Sequence, residues 1–529
     1  VLNRRHFLGT AAVSGAALTA CKNDQAVRGG FTGIDDARGH SLRDTKTWPA
    51  PSVQRKTRVL IAGGGVAGLA AARALRLRGM NDFALLELED EAGGNARGGS
   101  VGGIACPLGA HYLPLPGDDA PEVQDLLEEL GLRQRVAGRW EYDERHLCHS
   151  PQERLFFNGA WQDGLLPLRG VGADTLAQYR MFALLVEDAR KAARWSIPAS
   201  RSAQTPFKQA LSRITFDTYL QQHALTDVPL RWYLDYCSRD DYGAGLETVS
   251  AWAGIHYFAS RHGFSAPGAE MAEREGLLTW PEGNAWLTRR LAIPLGERLH
   301  GGQVVLRIEQ TKHRVEVDAF NTATHQIERW QAEQVIVALP VFVTARVVQD
   351  APDFLKQAAA RTVYAPWLVA NIHIAKPLFD RSGPAPSWDN VIYGDAHTAP
   401  GLGYVDAMHQ SLQQVPGATV LTHYRALGSL PGGPAKTREM LMQKPWTYWR
   451  DEILRELSVA HPDLHAKTTR IDITRYGHAM AIPVPAAPGR IGQVPPEWGR
   501  IRFAHSDWAG YSVFEEAFAL GHLAGHGLA

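Results

Sequence analysis

The chain has 529 residues, 45% hydrophobic and 21% charged, with 55 basic residues balanced by 55 acidic ones. This is the composition of a globular protein of about two domains. A net charge of zero without a basic tract argues against nucleic acid as a partner, and neither the scattered histidines nor the four cysteines show metal-ligand spacing.

At the N-terminus, Asn3, Arg4, Arg5, His6, Phe7 and Leu8 resemble a twin-arginine export signal, followed by a modest apolar region through Ala20. That region is too short and too rich in small residues for a stable membrane span. Leu18, Thr19, Ala20 and Cys21 resemble a lipobox, which implies a lipid anchor at Cys21. For residues 1–21 the expectations are therefore the twin-arginine machinery as a partner, a periplasmic location and attachment to a membrane through lipid. Residues 22–56 are polar, end at Trp48 to Pro51, and read as a tether. Cys106, Cys148 and Cys237 cannot all pair with one another, and buried free thiols are expected.

The organising stretch begins at Arg58. Val59, Leu60, Ile61 and Ala62 form an apolar run typical of a parallel strand buried on both faces. Gly63, Gly65 and Gly68 follow in G-x-G-x-x-G spacing, and an Ala/Leu-rich segment from Val66 and Ala67 onward predicts a helix. Gly63 permits the tight turn, Gly65 lets backbone approach a pyrophosphate, and Gly68 lets helix and strand pack closely. The helix N-terminus directs amides and partial positive charge at phosphate. A second strand, Phe83 to Glu87, places a carboxylate about 20 residues beyond the glycines, where a ribose hydroxyl would be met and a 2′-phosphate repelled.

Further along, Val123, Leu126, Leu127 and Leu130 mark a helix that stops at Gly131. From about 140 to 275 the reading is mainly helical. Trp232, Tyr233, Tyr236, Tyr242, Trp252, His256, Tyr257 and Phe258 surround Asp240 and Asp241. This cluster reads either as an aromatic core with a solvated acidic turn or as one wall of a substrate chamber. Asp240 and Asp241 read either as ligands of a substrate amine or as helix caps. Gly302 opens a β-meander that ends in Val335 to Pro340, and short strands and the helix Trp446 to Leu457 follow.

The last motif runs from Ile501 through Asp507 to Gly510, Phe514, Glu515, Glu516, Ala517 and Gly521. Together with the glycine turn, the run Glu87 to Arg97 and the segment Pro107 to Tyr112, it resembles the flavin-containing amine oxidoreductase superfamily, amine oxidases and carotenoid desaturases among them. The resemblance implies an α/β fold: a discontinuous Rossmann-like FAD domain (57–115, 280–345 and 471–529) and a mixed α+β substrate domain (116–279 and 346–470). It implies FAD as cofactor and a small-molecule substrate. It also implies that Gly93, Gly94, Asn95 and Arg97 wrap the diphosphate, and that Gly109, Ala110 and His111 lie beside the flavin. Ile308 would touch the adenine, Asp507 the ribityl chain, and Phe514 and Glu515 the flavin carbonyl region. His111 is the candidate for a direct catalytic role, and His478 lies where some relatives attach flavin covalently. Many amine oxidases of the superfamily carry a lysine near flavin N5, on the strand that here reads Leu368 to His373. Ala370 and Asn371 stand at the nearest positions, which points to slow reaction with oxygen and towards the desaturase side. The readings that follow are an oxidoreductase taking a hydride from a C–N or C–C bond, a non-redox flavin isomerase or mutase, and a flavin-stabilised surface binding lipoprotein.

Overall fold

The computed structural model describes residues 26–43, 48–268, 276–395, 400–411, 415–486 and 491–528. The twin-arginine motif and Cys21 lie outside the described residues.

Two sheets organise the molecule. In the first, the strand Val53–Ala62 pairs in parallel with Phe83–Leu86 on one side and with Gln326–Val337, from Glu328 to Val337, on the other. Ile501–Phe503 pairs in parallel with the C-terminal end of Gln326–Val337, whose N-terminal half also carries the antiparallel meander Gln303–Gln310 and Val315–Asn321. The apolar run at 59–62 serves two cores by simple alternation. Val59 and Ile61 pack beneath the helices Val66–Leu77 and Phe514–His526, and Leu60 and Ala62 pack towards the meander. This is the α/β, Rossmann-like domain.

The two helices of that layer meet through glycine. A Cβ on Gly521 would lie 2.0 Å from the Ala67 carbonyl oxygen, and one on Gly525 would lie 2.4 Å from that of Ala71. Backbone cannot step aside for a side chain as a flexible neighbour can. Gly521→Leu is therefore expected to lower stability by about 3 kcal/mol or more, read as a fall in melting temperature or a loss of soluble protein.

The second sheet has eight strands, in the order Arg28–Phe31, Thr468–Ile482, Val363–Ile374, Thr419–Ala426, Tyr404–Asp406, Asp389–Ile392, Glu153–Phe157 and Ala160–Asp163. Trp367 and Val369 face a core shared with the helices Ala173–Ala192, Phe216–Gln222, Val228–Tyr242 and Ala251–Ala259. Leu368, Ala370 and Ile372 face the opposite core, which contains Trp446–Leu457.

Three sequence expectations are corrected here. Residues 28–31, assigned to a tether, form an edge strand parallel to Arg470–Ile473, and Asp36–His40 forms a short helix. The polar composition of this stretch conceals backbone pairing that needs no apolar side chain. Val53 to Lys56 already belong to the central strand of the first sheet. The boundary at 471 is also misplaced, because Thr468–Ile482 pairs along its length with Val363–Ile374 in the substrate sheet. The chain rejoins the first sheet only at Ile501. Cys106 and Cys237 are buried free thiols, and Cys148 is half-buried and unpaired.

Candidate active site

A cavity of about 1090 Å³ runs from the glycine turn of the first domain to the helical wall of the second. Its first end is made almost entirely of backbone. Gly63 has φ +106°, and a Cβ there would meet the Ala338 carbonyl oxygen at 2.5 Å. Only glycine meets both conditions. A Cβ on Gly68 would lie 1.8 Å from the Gly63 oxygen, so this residue serves helix–strand packing and does not line the cavity. Gly65 differs from both. A Cβ there would meet nothing closer than Gly94 Cα at 3.8 Å, and Gly65, Val66 and Ala67 all line the cavity at a helix N-terminus. The second glycine turn is fastened to the first, because the Gly93 amide donates to the Gly64 carbonyl at 2.9 Å. Gly93 stands behind the wall and Gly94 forms part of it.

Glu87 is buried at this end. Its Oε2 accepts from the Gly64 amide at 2.7 Å and its Oε1 from the Glu89 amide at 3.0 Å. Burial raises its carboxyl pKa above the ordinary range, against the pull of those two amides. Asn95 donates to the Ala479 carbonyl. Arg97 lines the cavity, but its Nε donates to the Gly94 carbonyl at 2.9 Å and its Nη1 to the Gly33 carbonyl at 2.7 Å. Asp507, Phe514 and Glu515 line the same cavity as Gly65, so the early turn and the closing motif do meet. Asp507 Oδ2 accepts from the Val341 amide at 2.9 Å and the Tyr364 hydroxyl at 2.7 Å. Burial would push its carboxyl up, but His505, Tyr364 and the Val341 amide together hold it below the usual value.

Ile308 is a correction. It is fully buried in the core between the meander and the central strand and does not line the cavity. The wall comes from Gln303, Val304 and Val305, ahead of a bulge between Val305 and Arg307. Only the start of that strand reaches the cavity.

At the other end Asp241 is buried, and His111, Tyr112, Asp240 and Arg261 are half-buried. Gly109, Ala110 and His111 line the cavity, and His111 stacks on Tyr424 with ring centroids 4.3 Å apart. Burial pushes the His111 imidazole down to about 3, so it is neutral at physiological pH. Asp240 and Asp241 occupy the last turn of Val228–Tyr242, which Gly243 closes at φ +74°. A helix C-terminus favours cations, so two carboxylates there stand against the helix dipole and are not caps. Tyr112 donates to Asp240 Oδ2 at 3.3 Å. Arg261 donates to Asp241 Oδ1 at 3.0 Å, while Asp241 Oδ2, itself buried, accepts no hydrogen bond from any described residue. Burial, then the neighbouring Asp241, push the Asp240 carboxyl up to about 7.

Sequence reasoning missed Arg261, Tyr424 and Trp367, which share this wall. No local motif announces them; the folded sheet and helices bring them together. Ala370 and Asn371 do not face the cavity. Val369 and Trp367 hold the strand positions that do, and no lysine lines it among the described residues.

A sequence model of flavin containing amine oxidoreductases matches residues 66–524. The coproporphyrinogen III oxidase of Mycobacterium leprae is 27% identical over 338 residues, spanning 60% of this chain and 67% of that protein. Among solved structures, putrescine oxidase bound to putrescine superposes with a TM-score of 0.65 at 16% identity, covering 90% of this chain and 99% of that one. Cyclohexylamine oxidase from Brevibacterium oxydans superposes with a TM-score of 0.63 at 18% identity, covering 89% and 98%. At these identities the structural likeness concerns the fold.

Proposed function

Since the chain belongs to the flavin containing amine oxidoreductase family, we propose that it oxidises a C–N bond of a cationic amine held by Asp240 and Asp241. It is an FAD-dependent oxidoreductase of the amine oxidase type. The residues at the first end fit FAD. The Gly65 turn and the amides opening Val66–Leu77 would hold the diphosphate, Glu87 would accept from the ribose, and Asp507 would stand at the ribityl chain. Bound flavin supplies the acceptor for a hydride and thus the redox chemistry.

The remaining steps belong to the protein. Asp240 and the unshared oxygen of Asp241 attract an ammonium group into the cavity. Neutral His111, stacked on Tyr424, brings no competing positive charge. Tyr112 fixes Asp240, and Trp367 and Val369 supply an apolar wall that excludes solvent.

The observation that carries this reading is the acid pair at the helix C-terminus. An uncharged polyene would leave the buried Asp241 Oδ2 without a hydrogen-bond donor, which costs about 1–3 kcal/mol. Anaerobic mixing with amines, with an apolar polyene and with a porphyrinogen tests it. Bleaching of the oxidised flavin band by amines alone is expected; bleaching by the polyene and not by amines would reverse the assignment. A photoreductant that fails to change the band would support a structural flavin. With no lysine among the described residues of the wall, reduced enzyme is expected to persist in air, and rapid hydrogen peroxide release would contradict that expectation.

We further propose export by the twin-arginine route with lipid attachment at Cys21. Cell fractionation of the parent and of an Arg4→Lys/Arg5→Lys variant tests it.

A further inference from the structure

The segment ahead of the glycine turn lines the cofactor cavity and is fastened at three points. First, its edge strand pairs with the substrate sheet, Arg28 beside Arg470 through Phe31 beside Ile473, and the Thr32 amide donates to the Ile473 carbonyl at 2.9 Å. Second, it is bound to the FAD domain around the ribose carboxylate. Arg38 Nη1 donates to the Leu88 carbonyl at 3.2 Å and to Asp90 at 2.8 Å, and the Asp35 amide donates to Glu89 at 3.3 Å. Arg97 joins the Gly33 carbonyl of this segment to the Gly94 carbonyl of the second glycine turn. Third, Leu42, like Leu339 and Val343, packs against the core that includes Val337 and Val341, and Arg346 donates to the Arg43 carbonyl at 3.1 Å. Between these anchors Ile34, Asp35, His40, Leu42 and Arg43 line the cavity that Gly63 to Ala67 line from below.

We propose that residues 33–43 form a strap across the FAD site that sets how fast the cofactor enters and leaves. The proposal rests on this cavity being the FAD site. Its physical basis is the division of labour among the contacts. The parallel sheet and the Gly521 helix crossing close the core beneath the glycine turn without the strap, whereas the strap joins the substrate sheet to the FAD sheet beside the glycine turns, alongside the Asn95–Ala479 bond. Its bonds end on groups beside the dinucleotide end of the cavity, at Leu88, Glu89, Asp90 and Arg97.

Two residues outside the cavity release the strap without altering the site. Gly29 has φ +141°, and a Cβ there would lie 1.8 Å from the Ile471 carbonyl oxygen, so Gly29→Val breaks the edge-strand anchor. Arg38→Ala removes the bonds to Leu88 and Asp90. Holoenzyme of each is diluted and FAD release followed by the rise of free-flavin fluorescence, with Gly65→Val as the reference for the cavity itself. Release about tenfold faster or more in both strap variants is expected, with the melting temperature of the apoproteins unchanged from the parent. Trypsin is expected to cut after Arg38 or Arg43 faster in apoprotein than in holoenzyme. Release within about twofold of the parent in both variants, with Gly65→Val depleted of FAD, would overturn the strap and leave the cavity assignment standing. FAD held normally by Gly65→Val would overturn both.

Discussion

Gly65→Val should yield a folded protein that purifies without its yellow colour. A Cβ at this position meets no protein atom nearer than 3.8 Å, so the added methyls enter the cavity and leave the core undisturbed. They occupy the space that a diphosphate needs beside the first amides of Val66–Leu77. Displacing two charge-assisted contacts removes about 3–6 kcal/mol of binding, a loss of two to four orders of magnitude in affinity. Flavin absorbance per polypeptide and an unchanged far-ultraviolet circular dichroism spectrum check both halves of the expectation. The contrast with Gly63 sharpens it. There a Cβ strikes the Ala338 backbone at 2.5 Å, and Gly63→Val is expected to cost the fold as well as the cofactor.

Replacing Asp240 and Asp241 together with asparagine should raise KM for an amine substrate by roughly 30-fold to several-hundred-fold, equivalent to about 2–4 kcal/mol for a desolvated charge pair. The anaerobic rate of flavin reduction at saturating substrate should change far less. The single change Asp240→Asn adds a pH signature. The Asp240 carboxyl sits at about 7, so its charge, and its attraction for an ammonium, grow as pH rises through neutrality. KM of the parent is thus expected to fall between about pH 6 and pH 8, and that fall should disappear in Asp240→Asn. Stability moves in the opposite sense. A carboxyl whose folded-state pKa is raised favours folding at low pH and opposes it once ionised. At about pH 8, Asp240→Asn should therefore be more stable than the parent by roughly 1–3 kcal/mol, with the difference fading towards about pH 4. A variant that gains stability while losing substrate affinity marks a residue kept for function.

The elements legible in the sequence were those set by local spacing. The glycine turn, the apolar run at 59–62 and the helix Trp446–Leu457 follow from patterns a few residues long, and all three stand as expected. Ile308 was misplaced for a reason local pattern does not contain. Whether a strand residue meets the cavity depends on which end of the strand reaches it and on the bulge after Val305. The strap was hidden by composition. Glycines at 29, 30 and 33 look like linker residues, yet Gly29 is required by the close approach of Ile471. The acid pair was visible, but the burial of Asp241 and its partner Arg261 arise from tertiary packing.

The cavity draws its walls from residues 34–43, from the turn at 63–67 and from residues 505–517. Synthesis on the ribosome proceeds from the first of these to the last, so the cofactor's berth stays open on one side until the closing motif has emerged and the Gly521 helix has docked on Ala67. Flavin is therefore enclosed only after residues 505–517 have joined the wall. Until then the apolar strands at 59–62 and 83–86 wait without their full cover, the condition in which a chain is most prone to aggregate.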